Sequence, residues 1–250
     1  MLIIEPGMYI IRNMDISGQL TIEKLYSGRK TTLISAAAAV IGAAGLLILT
    51  YMIAVSGGTS WDDPVREWFY SMRSPGLTTL MELITRMGEW YTATLILLLL
   101  VIYPKTRNGI GIPASCAVIL SQLIKSVLKT ALTRPRPDEI LHLIKQGGWS
   151  FPSGHSITSM TMYMMLFILL LIAVSHAKKE QGLPAGPKMI ALLVLLLFLS
   201  FAVGLSRIYL GVHYPSDVLA GWCGGVFSAG LVFFVLSLRC RKDRAGIQTT

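Results

Sequence analysis

Apolar runs of membrane-spanning length constrain this chain more than any other feature of its sequence. A helix needs roughly 20 apolar residues to cross a hydrocarbon core about 30 Å thick. We find six candidate runs, of which the second is short and is expected to begin earlier, within LTTLMELITRMGEW. Because lipid admits only helices and closed barrels, the sequence predicts an all-α polytopic membrane protein. The runs are Thr32–Val55, Trp90–Tyr103, Gly109–Leu132, Ser156–Val174, Met189–Ile208 and Ser216–Leu238.

Lysine and arginine residues are distributed unevenly between the two sets of loops. Thirteen fall in the N-terminal segment, the second-to-third and fourth-to-fifth connections and the C-terminal tail, whereas six fall in the opposite loops. Basic residues are enriched in cytoplasmic loops, so we predict that both termini are cytoplasmic. The chain would then be one membrane domain, with a cytoplasmic segment at 1–31, a six-span core at 32–238 and a basic tail at 239–250. The net charge of +9 reflects this topology, and we predict no nucleic-acid partner.

Four polar segments come to one face of the predicted bundle. The third span leaves the membrane through KTALTRPRP at 129–137, and the fourth enters through FPSGH at 151–155. The fifth span leaves through SR at 206–207, and the sixth enters through HYPSD at 213–217. Because the spans alternate in direction, all four ends lie opposite the thirteen basic residues. The sequence therefore predicts a site on the extracytoplasmic side.

The residue types at these ends suit a phosphate group. Lys129, Arg136 and Arg207 supply ammonium and guanidinium donors, and an arginine can bind a phosphate through two N–H groups. Ser153 follows a proline and stands where a helix N-cap is expected. The backbone N–H groups from Gly154 onward would then face an anion at the N-terminus of a helix. We predict a phosphate cradle at this position.

Two histidines accompany the cradle. His155 lies at the entrance to the predicted fourth span, just after the expected N-cap Ser153, and His213 precedes the sixth helix, which should begin at Pro215. Asp217 lies in the first turn of that helix, where its carboxylate can orient the imidazole of His213. The pattern predicts attack on phosphorus by one histidine and protonation of the leaving group by the other.

The third span carries a polar stripe. Gln122, Lys125 and Lys129 are spaced i, i+3 and i+7, and therefore share one helical face. An ionisable side chain in mid-membrane costs about 2.5–3.5 kcal/mol on insertion scales, so each lysine needs a compensating environment. Snorkelling to the interface, pairing with a neighbouring helix, or an inward-facing site would each provide one. We expect the stripe to face the interior of the bundle.

The linked motifs resemble the three-part signature of the type 2 phosphatidic acid phosphatase superfamily. Lys129 is followed after six residues by Arg136-Pro137, then by Pro152–His155, and then by Ser206-Arg207 with His213 and Asp217 at the family's spacing. The resemblance implies metal-independent hydrolysis of a phosphate ester or anhydride without a cofactor. His213 would be the nucleophile, Asp217 its partner and His155 the general acid. The implied phosphate-binding residues are Lys129, Arg136, Ser153, Gly154 and Arg207.

The resemblance also implies a lipid phosphate as substrate and membrane lipids as surroundings. The candidate substrates are undecaprenyl diphosphate, phosphatidylglycerol phosphate and phosphatidic acid. The chain is short, as in bacterial proteins, and this favours the first two. Two alternatives stay open. One is a lipid phosphotransferase in which a hydroxyl acceptor replaces water, and the other is a non-catalytic lipid transporter or lipid-binding protein.

Two further expectations concern the outer face. In RPRP at 134–137, the family spacing selects Arg136 for the phosphate, and we expect Arg134 to act mainly at the membrane interface. The segment WDDPVREWFYSMRSPG at 61–76 has alternating charges with aromatic residues, and it predicts a helix lying on the outer surface.

Overall fold

The structure is a computed structural model, and it describes residues 26, 29–181 and 186–247. Within these residues the regular secondary structure consists of eight main helices and three short helical turns, without strands, so the predicted all-α class is confirmed. The predicted cytoplasmic segment at 1–31 lies mostly outside the described residues. The helices are α1 Arg29–Ser56, α2 Asp62–Ser71, α3 Pro75–Arg86, α4 Trp90–Ile102, α5 Ile112–Leu132, α6 Gly154–Gln181, α7 Pro187–Tyr209 and α8 Pro215–Ile247.

Five helical segments of the described chain are long and apolar enough to span a membrane. They correspond to predicted spans one, three, four, five and six, and α8 continues as helix beyond the predicted span end at Leu238. The second predicted span is instead divided into α3 and α4, which are bent by 46° and would make a sixth span if they cross together. The expected earlier start is thus present, but as a separate helix.

The bend between α3 and α4 is fixed by contacts with two other helices. Gly88 packs so closely against α7 that an added Cβ would lie 2.3 Å from Val203 Cγ1. Tyr163 of α6 donates a hydrogen bond from its hydroxyl to the Met87 carbonyl oxygen, at 2.7 Å. Because this carbonyl is held by a side chain of another helix, the break is fixed in position by tertiary contacts.

The start of α8 is held close to the start of α6. An added Cβ at Gly221 would lie 2.9 Å from the Ser153 carbonyl oxygen, and one at Gly225 would lie 2.7 Å from Met160 Cβ. These glycines therefore permit a backbone approach that a larger residue would prevent. At the ends of the two helices, Ser153 N–H donates to the Asp217 carbonyl oxygen at 3.0 Å. This contact brings the second and third motifs together.

The surface helix predicted at 61–76 is present in part as α2. Trp68 is exposed, whereas Asp62 at the N-terminal end of α2 is buried. The Asp62 carboxylate accepts hydrogen bonds from the Ser216 backbone N–H at 2.8 Å and from the Ser216 hydroxyl at 2.7 Å. Because N–H groups in the first turn of a helix have no partner within it, Asp62 satisfies one such donor of α8. Helix α2 is therefore anchored to the helix that carries Asp217.

Candidate active site

The predicted motif residues meet at one cavity of about 290 Å³. Lys129, Arg136, Gly154, His155 and His213 line it directly. Three others, Ser153, Arg207 and Asp217, are buried outside the lining. The remaining lining residues are Gly88, Glu89, Trp90, Gln122, Lys125, Gln146, Gly147, Gly148, Trp149 and Thr158.

His213 is held between a cation and a carboxylate. Its Nε2 lies 3.0 Å from Arg136 Nη1, and its Nδ1 lies 3.3 Å from Asp217 Oδ2. A guanidinium can only donate, so Nε2 accepts and the ring proton is assigned to Nδ1, facing the carboxylate. Burial lowers the pKa of His213 well below its ordinary value, and the charge of Arg136 lowers it further. The imidazole is therefore neutral at physiological pH, with its lone pair on Nε2.

Asp217 is fully buried, and both carboxylate oxygens have partners. Oδ2 accepts from the Ser150 hydroxyl and from the Tyr214 backbone N–H, at 2.9 Å for the latter. Oδ1 lies 2.6 Å from Arg134 Nη1. A carboxylate fixed by several donors can hold an imidazole in one orientation and one tautomer.

Arg134 is not at the membrane interface, and that expectation is wrong. The side chain is buried, bridging Asp217 and Asp62, with its Nη2 at 2.8 Å from Asp62 Oδ2. Its guanidinium also lies over the ring of Tyr214, at 4.0 Å from the centroid. The interfacial expectation failed because two carboxylates, one from α2, compensate the buried charge. Sequence spacing alone could not reveal the contribution of Asp62.

The three predicted phosphate-binding cations approach the cavity from different elements. Lys129 extends from α5 and donates to the Trp149 carbonyl oxygen. Arg136 donates to carbonyl oxygens of two loops, at 2.9 Å to Gly148 before α6 and at 2.7 Å to Val212 before α8. Arg207 is fully buried in α7 and donates to Gln146, which lines the cavity. Its Nε is buried and has no hydrogen-bond partner among the described residues.

Ser153 and Gly154 form the start of α6. The Ser153 hydroxyl accepts from the Ser156 hydroxyl at 2.9 Å and lies 3.5 Å from the Ser156 backbone nitrogen, as in an N-cap. It is therefore turned toward its own helix. Gly154 lines the cavity, and an added Cβ there would lie 3.3 Å from Lys125 Cδ.

The sequence reasoning missed Glu89. This residue lies in the break between α3 and α4, where its Oε1 is 3.2 Å from His155 Nε2. An added Cβ at the preceding residue, Gly88, would lie 3.3 Å from His155 Cβ, so the break packs directly on the histidine. No sequence motif links Glu89 to the fourth span, and the pair depends on the bend. The two histidines that line the cavity are therefore each paired with a carboxylate, His155 with Glu89 in the lining and His213 with Asp217 behind it.

The donor set of the cavity is suited to an anion. Its lining contains the three cations Lys125, Lys129 and Arg136 and one carboxylate, that of Glu89. Among the described residues, no group of three or more His, Cys, Asp or Glu side chains is arranged to hold a metal ion. The arrangement supplies positive charge from side chains, together with a neutral imidazole lone pair, around a volume that fits a phosphate.

Comparisons with known proteins agree with the motifs and the fold. The model of the PAP2 superfamily matches residues 111–240, and the chain belongs to this superfamily. The predicted family is thus confirmed. Phosphatidylglycerophosphatase B of Bacillus subtilis (strain 168) is 33% identical over 199 residues, which cover 76% of this chain and 88% of the relative.

Two further similarities extend the comparison. An undecaprenyl-diphosphatase of Sulfolobus acidocaldarius is 28% identical over 154 residues, covering 60% of this chain and 66% of the relative. The crystal structure of a transmembrane PAP2-type phosphatidylglycerolphosphate phosphatase from Bacillus subtilis matches with a TM-score of 0.64 and 26% identity. That match covers 82% of this chain and 96% of the other, so the arrangement of helices is shared over most of both chains.

Proposed function

We propose that this protein is an integral-membrane lipid phosphatase that hydrolyses a phosphomonoester or diphosphate through a phosphohistidine at His213. One observation carries the proposal. The unprotonated Nε2 of His213 lies 3.0 Å from Arg136 at a cavity that His155 also lines. A nucleophile, a phosphate-binding cation and an acid–base group thus share one volume, which is the arrangement required for covalent catalysis.

In the first step, Nε2 of His213 attacks phosphorus while the bond from phosphorus to the leaving oxygen breaks. His155, in its protonated form, donates its proton to that oxygen, and Glu89 supports the charged imidazole. Lys129, Arg136 and Arg207 stabilise the negative charge of the transferring phosphoryl group. The Nδ1 proton of His213 stays on the ring, facing Asp217, as positive charge develops there.

In the second step, His155 acts as a base. It removes a proton from a water molecule, whose oxygen attacks phosphorus while the phosphorus–Nε2 bond breaks. Inorganic phosphate leaves, His213 returns to its neutral form, and His155 again carries the proton that it needs for the next cycle. No external oxidant, reductant or cofactor enters this balance, and we propose that the reaction is independent of metal ions.

The named relatives support a lipid substrate. Both the phosphatidylglycerophosphatase and the undecaprenyl-diphosphatase names denote enzymes that act on a phosphate attached to a lipid. The motif residues here lie at the ends of apolar helices, where a lipid headgroup can reach them while its tail remains in the bilayer. We propose a single membrane domain, with both termini cytoplasmic and the cavity open to the extracytoplasmic side, as the distribution of basic residues suggests.

Phosphate release by the purified protein tests the proposal. The substrates would be undecaprenyl diphosphate, phosphatidylglycerol phosphate, phosphatidic acid and a water-soluble phosphate ester, each with and without excess EDTA. We expect release from at least one lipid that exceeds release from the soluble ester, survives EDTA and is inhibited by vanadate, which resembles the pentacoordinate transition state. Full loss with EDTA and recovery with magnesium would overturn metal independence. Absence of release from every lipid would overturn the phosphatase.

A further inference from the structure

We infer that Lys125, Gln122 and Thr158 form a second anion subsite, which binds the lipid-proximal phosphate of a lipid diphosphate. This inference rests on the proposed function, because it assumes that the terminal phosphate of the substrate lies beside His213. The family signature includes none of these three residues. All three line the same cavity as His155 and His213.

The first support is the environment of Lys125. Lys125 is half-buried and lies within α5, which belongs to a segment long and apolar enough to span the membrane. Its hydrogen bond goes to the Gln122 side-chain oxygen, and no carboxylate pairs with it among the described residues. A cation in such a position is costly unless it serves a bound anion or reaches water. Its location in the cavity makes a bound anion the fitting partner.

The second support is the orientation of Gln122. Its amide nitrogen donates to Thr158 Oγ1 at 2.8 Å, so its oxygen is directed to Lys125. The Thr158 hydroxyl in turn donates to the Gly154 carbonyl oxygen at 2.8 Å. This chain of hydrogen bonds connects α5 to the first turn of α6, which carries His155. The ammonium of Lys125 is therefore held beside the cavity wall rather than free to extend to the interface.

The third support is the order of groups along α5. Going from Lys129 toward the N-terminus of α5, Lys125 lies about one helical turn away and Gln122 lies about one turn further, since a helix rises about 1.5 Å per residue. Gln122 also lines an apolar groove between α4 and α5, together with Leu98, Val118 and Ile119. A lipid whose tail follows this groove would pass Gln122 and Lys125 before its terminal phosphate reaches Lys129. The subsite thus lies on the tail side of the reacting phosphate.

This order assigns a chemical role to Lys125. When the anhydride bond of a diphosphate breaks, the leaving group is a lipid monophosphate, which gains negative charge on the oxygen that leaves. His155 protonates this oxygen, and the ammonium of Lys125 neutralises the remaining charge of the departing phosphate. A monophosphate substrate has an alkoxide leaving group and no second phosphate, so it would gain little from Lys125. Lys125 is accordingly a specificity-determining residue.

The test compares Lys125→Met with the unmodified protein on farnesyl diphosphate and farnesyl monophosphate, which share one tail. Methionine retains the length of lysine without its charge, and removal of a charge from a span does not oppose insertion. We expect kcat/KM to fall at least tenfold for the diphosphate and less than twofold for the monophosphate. Lys125→Arg should restore most of the diphosphate activity. Lys145→Met, which removes an exposed loop lysine outside the cavity lining, should change neither.

Different outcomes test the proposed subsite and the proposed phosphatase activity. Equal losses of Lys125→Met on both lipids, or no loss on either, would overturn the second subsite while leaving the phosphatase intact. If the unmodified protein released phosphate from neither farnesyl lipid nor any lipid named above, the proposed function itself would fail.

Discussion

Arg134 Nη1 lies 2.6 Å from Asp217 Oδ1, on the opposite oxygen from the one that faces His213. The two arginines of RPRP therefore serve different partners. Arg136 lies beside the imidazole at the cavity, and Arg134 lies behind the carboxylate that orients it. Asp62 completes the buried set by pairing with Arg134 from helix α2. A chain of charges from Asp62 through Arg134 to Asp217 thus connects α2 to the proposed nucleophile.

The first prediction is that loss of Arg134 mainly lowers stability, whereas loss of Arg136 mainly lowers catalytic activity. Arg134→Ala would leave Asp62 and Asp217 buried without their cation, at a cost of about 3–5 kcal/mol in the free energy of unfolding. Arg136→Ala removes hydrogen bonds to loop carbonyls but leaves Asp217 paired with Arg134, so it should lose less stability than Arg134→Ala. It should lose at least tenfold in kcat/KM, about 1.4 kcal/mol of transition-state stabilisation. Thermal unfolding in detergent and phosphate release from the same preparations measure both. An Arg134→Ala protein with unchanged stability and activity would contradict this assignment.

The second prediction concerns Glu89 and the general acid. Glu89→Gln keeps the side-chain shape but removes the charge that supports protonated His155, so we expect about a tenfold loss in kcat for alkyl phosphates. An aryl phosphate lipid has a better leaving group and needs less protonation, so its loss should be smaller. Glu67→Gln, an exposed change on α2, serves as the control. Equal losses on alkyl and aryl substrates would indicate a structural role for Glu89 instead.

The third prediction is a pH dependence. Burial and the neighbouring charge of Arg136 lower the pKa of His213, and the neutral imidazole is the nucleophilic form. Activity should therefore persist as the pH falls below about 6.5, the ordinary histidine value, until His213 is protonated. Removing the nearby cation in Arg136→Ala should raise this pKa and move the acid limb of kcat/KM to higher pH. Because both proteins are measured on the same substrate, ionisation of the substrate affects both pH profiles equally and does not contribute to the difference between them. If the acid limb of kcat/KM in Arg136→Ala stayed at the same pH or moved to lower pH, the assignment of neutral His213 as the nucleophile would be contradicted.

The fourth prediction is the sidedness of the cavity. The native cysteines Cys116, Cys223 and Cys240 would first be replaced by alanine. A single cysteine is then introduced either at Ile140 or at Asn108, and each of the two variants reports on one side of the membrane. Both positions are exposed, Ile140 in the loop near the cavity and Asn108 in the connection before α5. An impermeant maleimide should label Ile140→Cys in intact cells, and Asn108→Cys only after permeabilisation. The reverse pattern would invert the topology and move the substrate to the cytoplasmic leaflet.

Much of the fold was predictable from apolar length alone. Spans one, three, four, five and six emerge near their predicted limits, because lipid leaves a long apolar run no alternative to helix. The division of the second span was not predictable, since it depends on the contact of Gly88 with Val203 and on the bond from Tyr163 to Met87. Such contacts join distant parts of the chain and leave no periodic signal.

The site divides in the same way. Residues within a motif, such as His213 and Asp217, lie four apart at the start of one helix, so local geometry predicts their contact. Asp62 reaches the motifs from α2 and Glu89 from the α3–α4 break, and neither element carries a motif of its own. The position of Arg134 could not be inferred because Arg134 and Arg136 have the same charge and the same following residue. The two arginines differ in burial, because Arg134 is buried whereas Arg136 lines the cavity. Burial depends on how all the helices pack, and the local sequence does not determine it.

A covalent phosphoenzyme tests the central claim most directly. Lipid diphosphate labelled in its terminal phosphate would be mixed with the protein and quenched in alkali, in which phosphohistidine survives. We predict label on His213 in the unmodified protein and in His155→Ala, and none in His213→Ala. Label retained in His213→Ala would contradict the assignment of His213 as the nucleophile and the mechanism built on it.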